Sequence, residues 1–271
     1  MPKLTGPGRR PSHALLACYA VCAVGGLTVV ALTRYSPEHA ALLGQSTSEQ
    51  GVFEVLSVVC LVLIGLRALR EIPRHTAWLV PASLALLAAG EEASWGQHWL
   101  GFEPPEWLAA ANRQGEANLH NLVDPSWFSF LVHAPVNVAL VILPLALRLS
   151  RGSVPQPWNR WLPDQHGVLV FLMAWAFHGW GLSATRPDSL MFLAVLAAAG
   201  LAAFRLGERS ERLHWILVAS GAAVLAACHG VYRYENMQYE IRELLVVLGL
   251  AYWLAGIAAR AGPGAKGLSH A

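Results

Sequence analysis

Residues 77–100 read AWLVPASLALLAAGEEASWGQHWL. Fourteen uncharged residues, Ala77 to Gly90, run directly into Glu91 and Glu92, with His98 close behind. Fourteen helical residues span only about 21 Å, too short for the roughly 30 Å hydrocarbon layer of a bilayer. A crossing helix must therefore continue through Glu91, Glu92, Ser94 and His98. On such a helix Glu91, Ser94 and His98 share one face, with Glu92 about 100° away. The competing reading ends the helix at Gly90 as a C-cap and leaves both glutamates among the headgroups.

The rest of the chain favours the membrane. Its 271 residues are 55% hydrophobic and 13% charged, against about 25% charged in ordinary soluble domains. The expected fold is all-α: a polytopic integral membrane bundle of about eight transmembrane helices. The spans are approximately 13–33, 51–69, 76–100, 126–148, 166–183, 188–206, 212–231 and 240–260, between cytoplasmic tails 1–12 and 261–271, the latter expected to be disordered. Arg186-Pro187-Asp188 breaks the fifth span from the sixth. The first apolar run is too long for a signal-peptide core and reads as a retained anchor.

Fourteen Lys and Arg residues fall on one side of these spans and five on the other. That bias places both termini in the cytoplasm. The basic residues follow topology and form no compact patch, so the +2 net charge does not point to nucleic acid. Trp78, Trp158, Trp161 and Trp215 fall near the inner interface, and Trp99, Trp107, Trp127 and Trp180 near the outer one. Cys18, Cys22, Cys60 and Cys228 lie within spans and read as small packing residues.

Ionisable groups within the spans gather at one depth, near the outer face. Glu54, His133, His178, His229, Glu240 and Glu243 all lie in outer halves. Such groups usually face a protein interior or a water-filled cavity. Pro104-Pro105 followed by EWLAAA predicts a short interfacial helix between spans three and four. The following loop carries Asn112, Gln114, Glu116, Asn118, His120 and Asn121. As helix, Asn112, Glu116 and His120 share a face; as extended chain, residues 112, 114, 116, 118 and 120 do. A second outer loop adds Arg233.

The stretches EEASWGQHW and NRQGEANLHN resemble a family of bacterial polytopic membrane proteins. The likeness covers about thirty residues, implies the bacterial cytoplasmic membrane, and lends no reaction and no site residues. Two hydrolase families are similar in part. Glutamate-type CAAX-processing proteases share the paired glutamates and His133-x-x-x-Asn137, but Gly96 stands near the position of their arginine. Alkaline ceramidase-like hydrolases share Ser94-x-x-x-His98, but the chain has no HxxxH.

Glutamate beside imidazole in a partly dry pocket is equipment for general acid–base work. The expected catalytic set is Glu91, Glu92, His98, Glu116 and His120. Ser94, Asn112, Gln114, Asn118, Asn121, Arg233, Glu240 and Glu243 are expected to bind substrate. The cofactor is open; a divalent metal could take His98, Glu116, His120, His178 and His229. The expected activity is an intramembrane hydrolase or transferase acting on a lipid or lipid-linked substrate. Two other classes stay open, a non-catalytic component docking a partner and a transporter. Transporters usually bind near the midplane, and the inner halves hold few polar groups.

Overall fold

A computed structural model describes residues 51–124, 134–150, 161–176, 187–206 and 235–261, with isolated positions elsewhere. Every regular element among them is helical: α1 (Val52–Leu69), α2 (Leu79–Glu92), α3 (Gln97–Leu100), α4 (Glu106–Ala111), α5 (Leu143–Leu149), α6 (Gln165–Ala176), α7 (Pro187–Leu206) and α8 (Glu235–Ala261). The expected span 13–33 and most of 212–231 lie outside the described residues.

Among the described residues two helices, Val52–Leu69 and Glu240–Ala258, are long and apolar enough to cross a membrane. Helix α1 follows the extended Gly51 and carries Glu54 in its first turn and Arg67 in its last, each charge suiting the helix dipole. It buries Ser57, Val58, Leu61, Ile64, Gly65 and Ala68, a stripe at helical spacing. A turn through Pro73 returns the chain into α2, whose buried residues are all alanine: Ala82, Ala85 and Ala89. Small side chains let the two backbones approach, so α1 and α2 form the most extensive helix pair among the described residues. Their other faces are apolar and exposed, including Leu63, Leu66, Val80 and Leu84.

Helix α8 joins two cores. Val247, Leu254 and Ile257 pack with α1 and α2, while Leu245 joins Leu140, Leu145, Phe192 and the buried run of α6. Residues 168–175 of α6 are buried on nearly every side, as expected for a central helix that is apolar all round. Before α5 a π-turn covers Val138–Ile142. Pro144 supplies the reason, because it has no N–H for the preceding turn and its ring crowds the carbonyl four residues back.

The expected third span is corrected. Helix α2 does not run on to Leu100, nor does it stop at Gly90; it ends at Glu92. The short helix expected after Pro104-Pro105 is present as α4, Glu106–Ala111.

At Gly249 the α6–α8 contact is close: a Cβ there would sit 2.8 Å from the Phe171 ring. Phe171 is fully buried and cannot swing away. Overpacking costs about 1–3 kcal/mol, more than the roughly 1 kcal/mol of helix propensity that alanine recovers. Gly249→Ala should therefore lower the thermal unfolding midpoint of the reconstituted protein, and adding Phe171→Leu should restore much of it. A Gly249→Ala protein as stable as the parent would refute this packing.

Candidate functional site

The break after α2 organises the polar end. Ser94 (φ 44), Trp95 (φ 56) and Gly96 (φ 83) lie consecutively in the left-handed region. For non-glycine residues that conformation costs about 1–2 kcal/mol each, so the turn needs outside support. It has three tethers. Ser94 Oγ donates to Glu116 Oε2 at 2.7 Å. Trp95 Nε1 donates to Glu91 Oε1 at 2.8 Å, and the indole folds over Gly90, where a Cβ would stand 2.8 Å from the ring. Gln97 Oε1 accepts from the backbone of Ala117 at 2.6 Å. Gly90 is thus a seat for an indole and not a helix cap.

The loop folds inward to meet this turn. Asn112 Oδ1 accepts from Gln114 N at 2.9 Å, an Asx-type turn that leads into Gly115 (φ 70). Its Nδ2 donates to both the carbonyl and the side-chain oxygen of Asn118. Asn118 in turn donates to Ser94 Oγ at 2.9 Å and to Glu116 Oε2 at 2.6 Å. Asn112, Glu116 and Asn118 are buried, while Gln114 points outward and bonds Asn121. Neither regular reading of the loop holds as a whole. Alternation survives for 112, 116, 118 and 120, and Gln114 breaks it.

Two glutamate–histidine pairs cross between helix end and loop. Glu116 Oε1 lies 2.8 Å from His98 Nε2. Glu91 Oε2 accepts from the backbone N–H groups of Leu119 and His120 at 2.7 and 3.0 Å, with His120 Nδ1 3.5 Å away. Because α2 stops, Glu91, Ser94 and His98 do not share a helical face. Glu91 turns to the loop, and Ser94 and His98 meet at Glu116.

Glu92 faces elsewhere. Carboxylate oxygens of Glu92, Glu240 and Glu243 lie within 4.8 Å of one another, all half-buried. Glu54 of α1 and His120 stand within electrostatic range of this group. The guanidinium of Arg242 is 3.8 Å from Glu243. An all-oxygen, all-anionic donor set suits a hard cation such as Mg²⁺, Mn²⁺ or Ca²⁺ better than zinc. Of the expected imidazole-rich metal set, the described members pair off, Glu116 with His98 and His120 with Glu91. His178, His229 and Arg233, with His133, lie outside the described residues.

Sequence reasoning missed Trp95, Gln97 and Arg242. The glycines at 90 and 96 flanking a tryptophan were the available signal for the first. For Arg242 it was an arginine beside Glu243 inside an apolar helix. Comparison with known proteins returns no matching family model, no matching curated protein and no matching solved structure.

Burial pushes the Glu116 carboxyl up, but hydrogen bonds from Ser94 and His98, the His98 charge and the Asn118 bond outweigh it. The carboxyl is held below the usual range. A carboxylate with a depressed folded pKa stabilises fully above its unfolded value, about 4.3 for glutamate, and that stabilisation fades as pH falls through the folded value. The stability advantage of wild type over Glu116→Gln should therefore be constant near neutrality and shrink from about pH 5 downward. Unfolding midpoints of both proteins across that range test it; a gap that widens on acidification contradicts the assignment.

Proposed function

We propose that the chain is a multi-pass membrane protein of about eight spans with both termini in the cytoplasm. Its polar end, near the extracytoplasmic face, would be the reaction centre of an intramembrane hydrolase or transferase acting on a lipid or lipid-linked substrate. The observation that carries this reading is the meeting of Glu92 with Glu240 and Glu243. Two helices that bury apolar cores here each spend acid on the same point. Carboxylates this close repel as anions, so a shared proton or a bound cation relieves the site. With a shared proton, one carboxylate serves as base and a neighbour as acid. The base takes the proton of an attacking water or alcohol, and the acid gives its own to the leaving oxygen. With a hard cation, the same three groups would hold it against the reacting oxygen.

Two further features support the membrane part. The outward faces of α1 and α2 carry exposed leucine and valine along their length, more contiguous apolar surface than soluble proteins usually leave open. Trp95, Trp99 and Trp107 are exposed around the polar end, where indoles suit the headgroup region.

Reporter fusions after Arg70 and Arg209 should read cytoplasm, and one at Gly115 should read the outside. A cytoplasmic Gly115 would reverse the map. For the chemistry, purified protein in vesicles of bacterial lipid extract should convert a lipid species detectable by mass spectrometry. Glu92→Gln should lower that conversion by about 10²–10⁴-fold while insertion and the unfolding midpoint stay near normal. Full conversion by Glu92→Gln would sink the acid–base reading. Loss of folding without any wild-type conversion would assign the trio to structure.

A further inference from the structure

The end of α1 and the turn that joins it to α2 carry Arg67, Arg70 and Arg74 around one acid, Glu71. The winding continues past α1: Glu71 N bonds Ala68 O at 3.0 Å, and Arg74 N and His75 N both bond Glu71 O, at 2.9 and 3.1 Å. Glu71 is only 5% exposed. Its carboxylate accepts from Arg67 Nη1 and from Arg74 Nη1, the latter at 2.8 Å. Arg74 Nη1 also reaches the carbonyl of Arg70 at 3.4 Å.

A buried carboxylate between two arginines fixes them without using them up. Each guanidinium has five N–H donors and gives Glu71 one nitrogen, while the two side chains stay 55% and 63% exposed. Arg70 is exposed as well. Three arginines against one glutamate leave an excess of two positive charges. A guanidinium fork suits bidentate recognition of phosphate, and one already held in place loses less freedom on binding.

The apolar surface of α1 leads to this turn. Val52, Leu56, Val59, Leu63 and Leu66 recur at alternating steps of four and three, and all are exposed. The next step of four lands on Arg70. From Val59 to Arg70 the helix rises about 16 Å, close to half of the roughly 30 Å hydrocarbon layer. An acyl chain of one leaflet can therefore lie along the stripe with its head at the arginines. A zwitterionic head would bring a cation of its own to that place, whereas an anionic head would not.

We propose that the Leu69 end of α1 holds one anionic phospholipid, whose phosphate accepts from Arg67, Arg70 and Arg74 while one acyl chain lies along Leu66, Leu63 and Val59. Glu71 sets the spacing of two of the three donors. The site needs α1 to span the membrane, as proposed above, and is independent of the chemistry proposed for Glu92. It is a place where lipid is held, not turned over.

Native mass spectrometry of the full chain in detergent micelles can be run with palmitoyl-oleoyl phosphatidylglycerol, the matching phosphatidylcholine and glycerol 1-phosphate. Phosphatidylglycerol should bind saturably and at least about fivefold more tightly than phosphatidylcholine. Glycerol 1-phosphate, a head without chains, should not bind in the same range. Arg70→Gln, at an exposed position outside the Glu71 pairs, should weaken phosphatidylglycerol about fivefold. Arg74→Lys keeps the charge but loses the fork, and should weaken it roughly threefold or more. Arg113→Gln removes the same charge from the polar loop and should leave binding unchanged. No preference for phosphatidylglycerol, glycerol 1-phosphate bound as tightly, or an Arg70→Gln protein equal to wild type overturns the site. An Arg74→Lys protein equal to wild type does so too, because a diffuse field reads charge alone. Any of these results beside intact lipid conversion leaves the proposed function standing. Phosphatidylglycerol bound as expected with no conversion of any lipid supports the site and removes the proposed chemistry.

Discussion

Glu116 is where the polar end is held together. Its carboxylate accepts from Ser94, meets His98 and accepts from Asn118 at once, and so joins the end of one helix to a loop some twenty residues later. Each of those partners has a second duty. Ser94 sits in strained backbone, His98 lines a cleft beside α1, and Asn118 anchors the loop through Asn112. In a buried setting such a network is worth having only if every member is satisfied. Here the loop supplies what the helix lacks, and the helix supplies what the loop lacks: Glu91 caps the backbone of Leu119 and His120 in return.

The two polar groupings at this end differ in electrostatic character. The Glu116 knot is saturated with donors, so its charge is compensated in place. The carboxylates of Glu92, Glu240 and Glu243 meet each other, with Arg242 3.8 Å from Glu243. The first arrangement suits rigidity and the second suits exchange of protons or cations. A site that must orient one group and let another change its ionisation benefits from keeping the two apart, and α2 separates them by turning neighbouring glutamates in different directions.

How much of this was legible depended on the range of the forces involved. The all-helical class followed from long apolar runs, and α1 and α8 begin and end close to where hydropathy places them. Pro104-Pro105 marked α4 because proline acts locally. The end of α2 was not legible, because its cause lies at Glu116 and Ala117, and helical periodicity cannot register a tether from that distance. The same blindness produced the expected Glu116–His120 pair: their spacing suits a helix, but the turn at Gly115 removes the helix and sends each to a different partner. That acids from different helices would meet was readable, whereas which acid would meet which was decided by packing. Glu92, not Glu91, faces α8, a choice made by the last turn of α2.

The left-handed run at 94–96 has a consequence for how this sequence can drift over generations. Individual side chains around it can be exchanged, provided a donor still reaches Glu116. The count of residues cannot. Adding or removing one position between Gly90 and Gln97 would carry the indole off its glycine seat and put a different residue into each strained conformation. Relatives that keep this corner should preserve the interval from Gly90 through Trp95 and Gly96 more faithfully than they preserve the apolar residues of the helices on either side. Spacing, then, is the durable signature by which distant members of this architecture can be recognised.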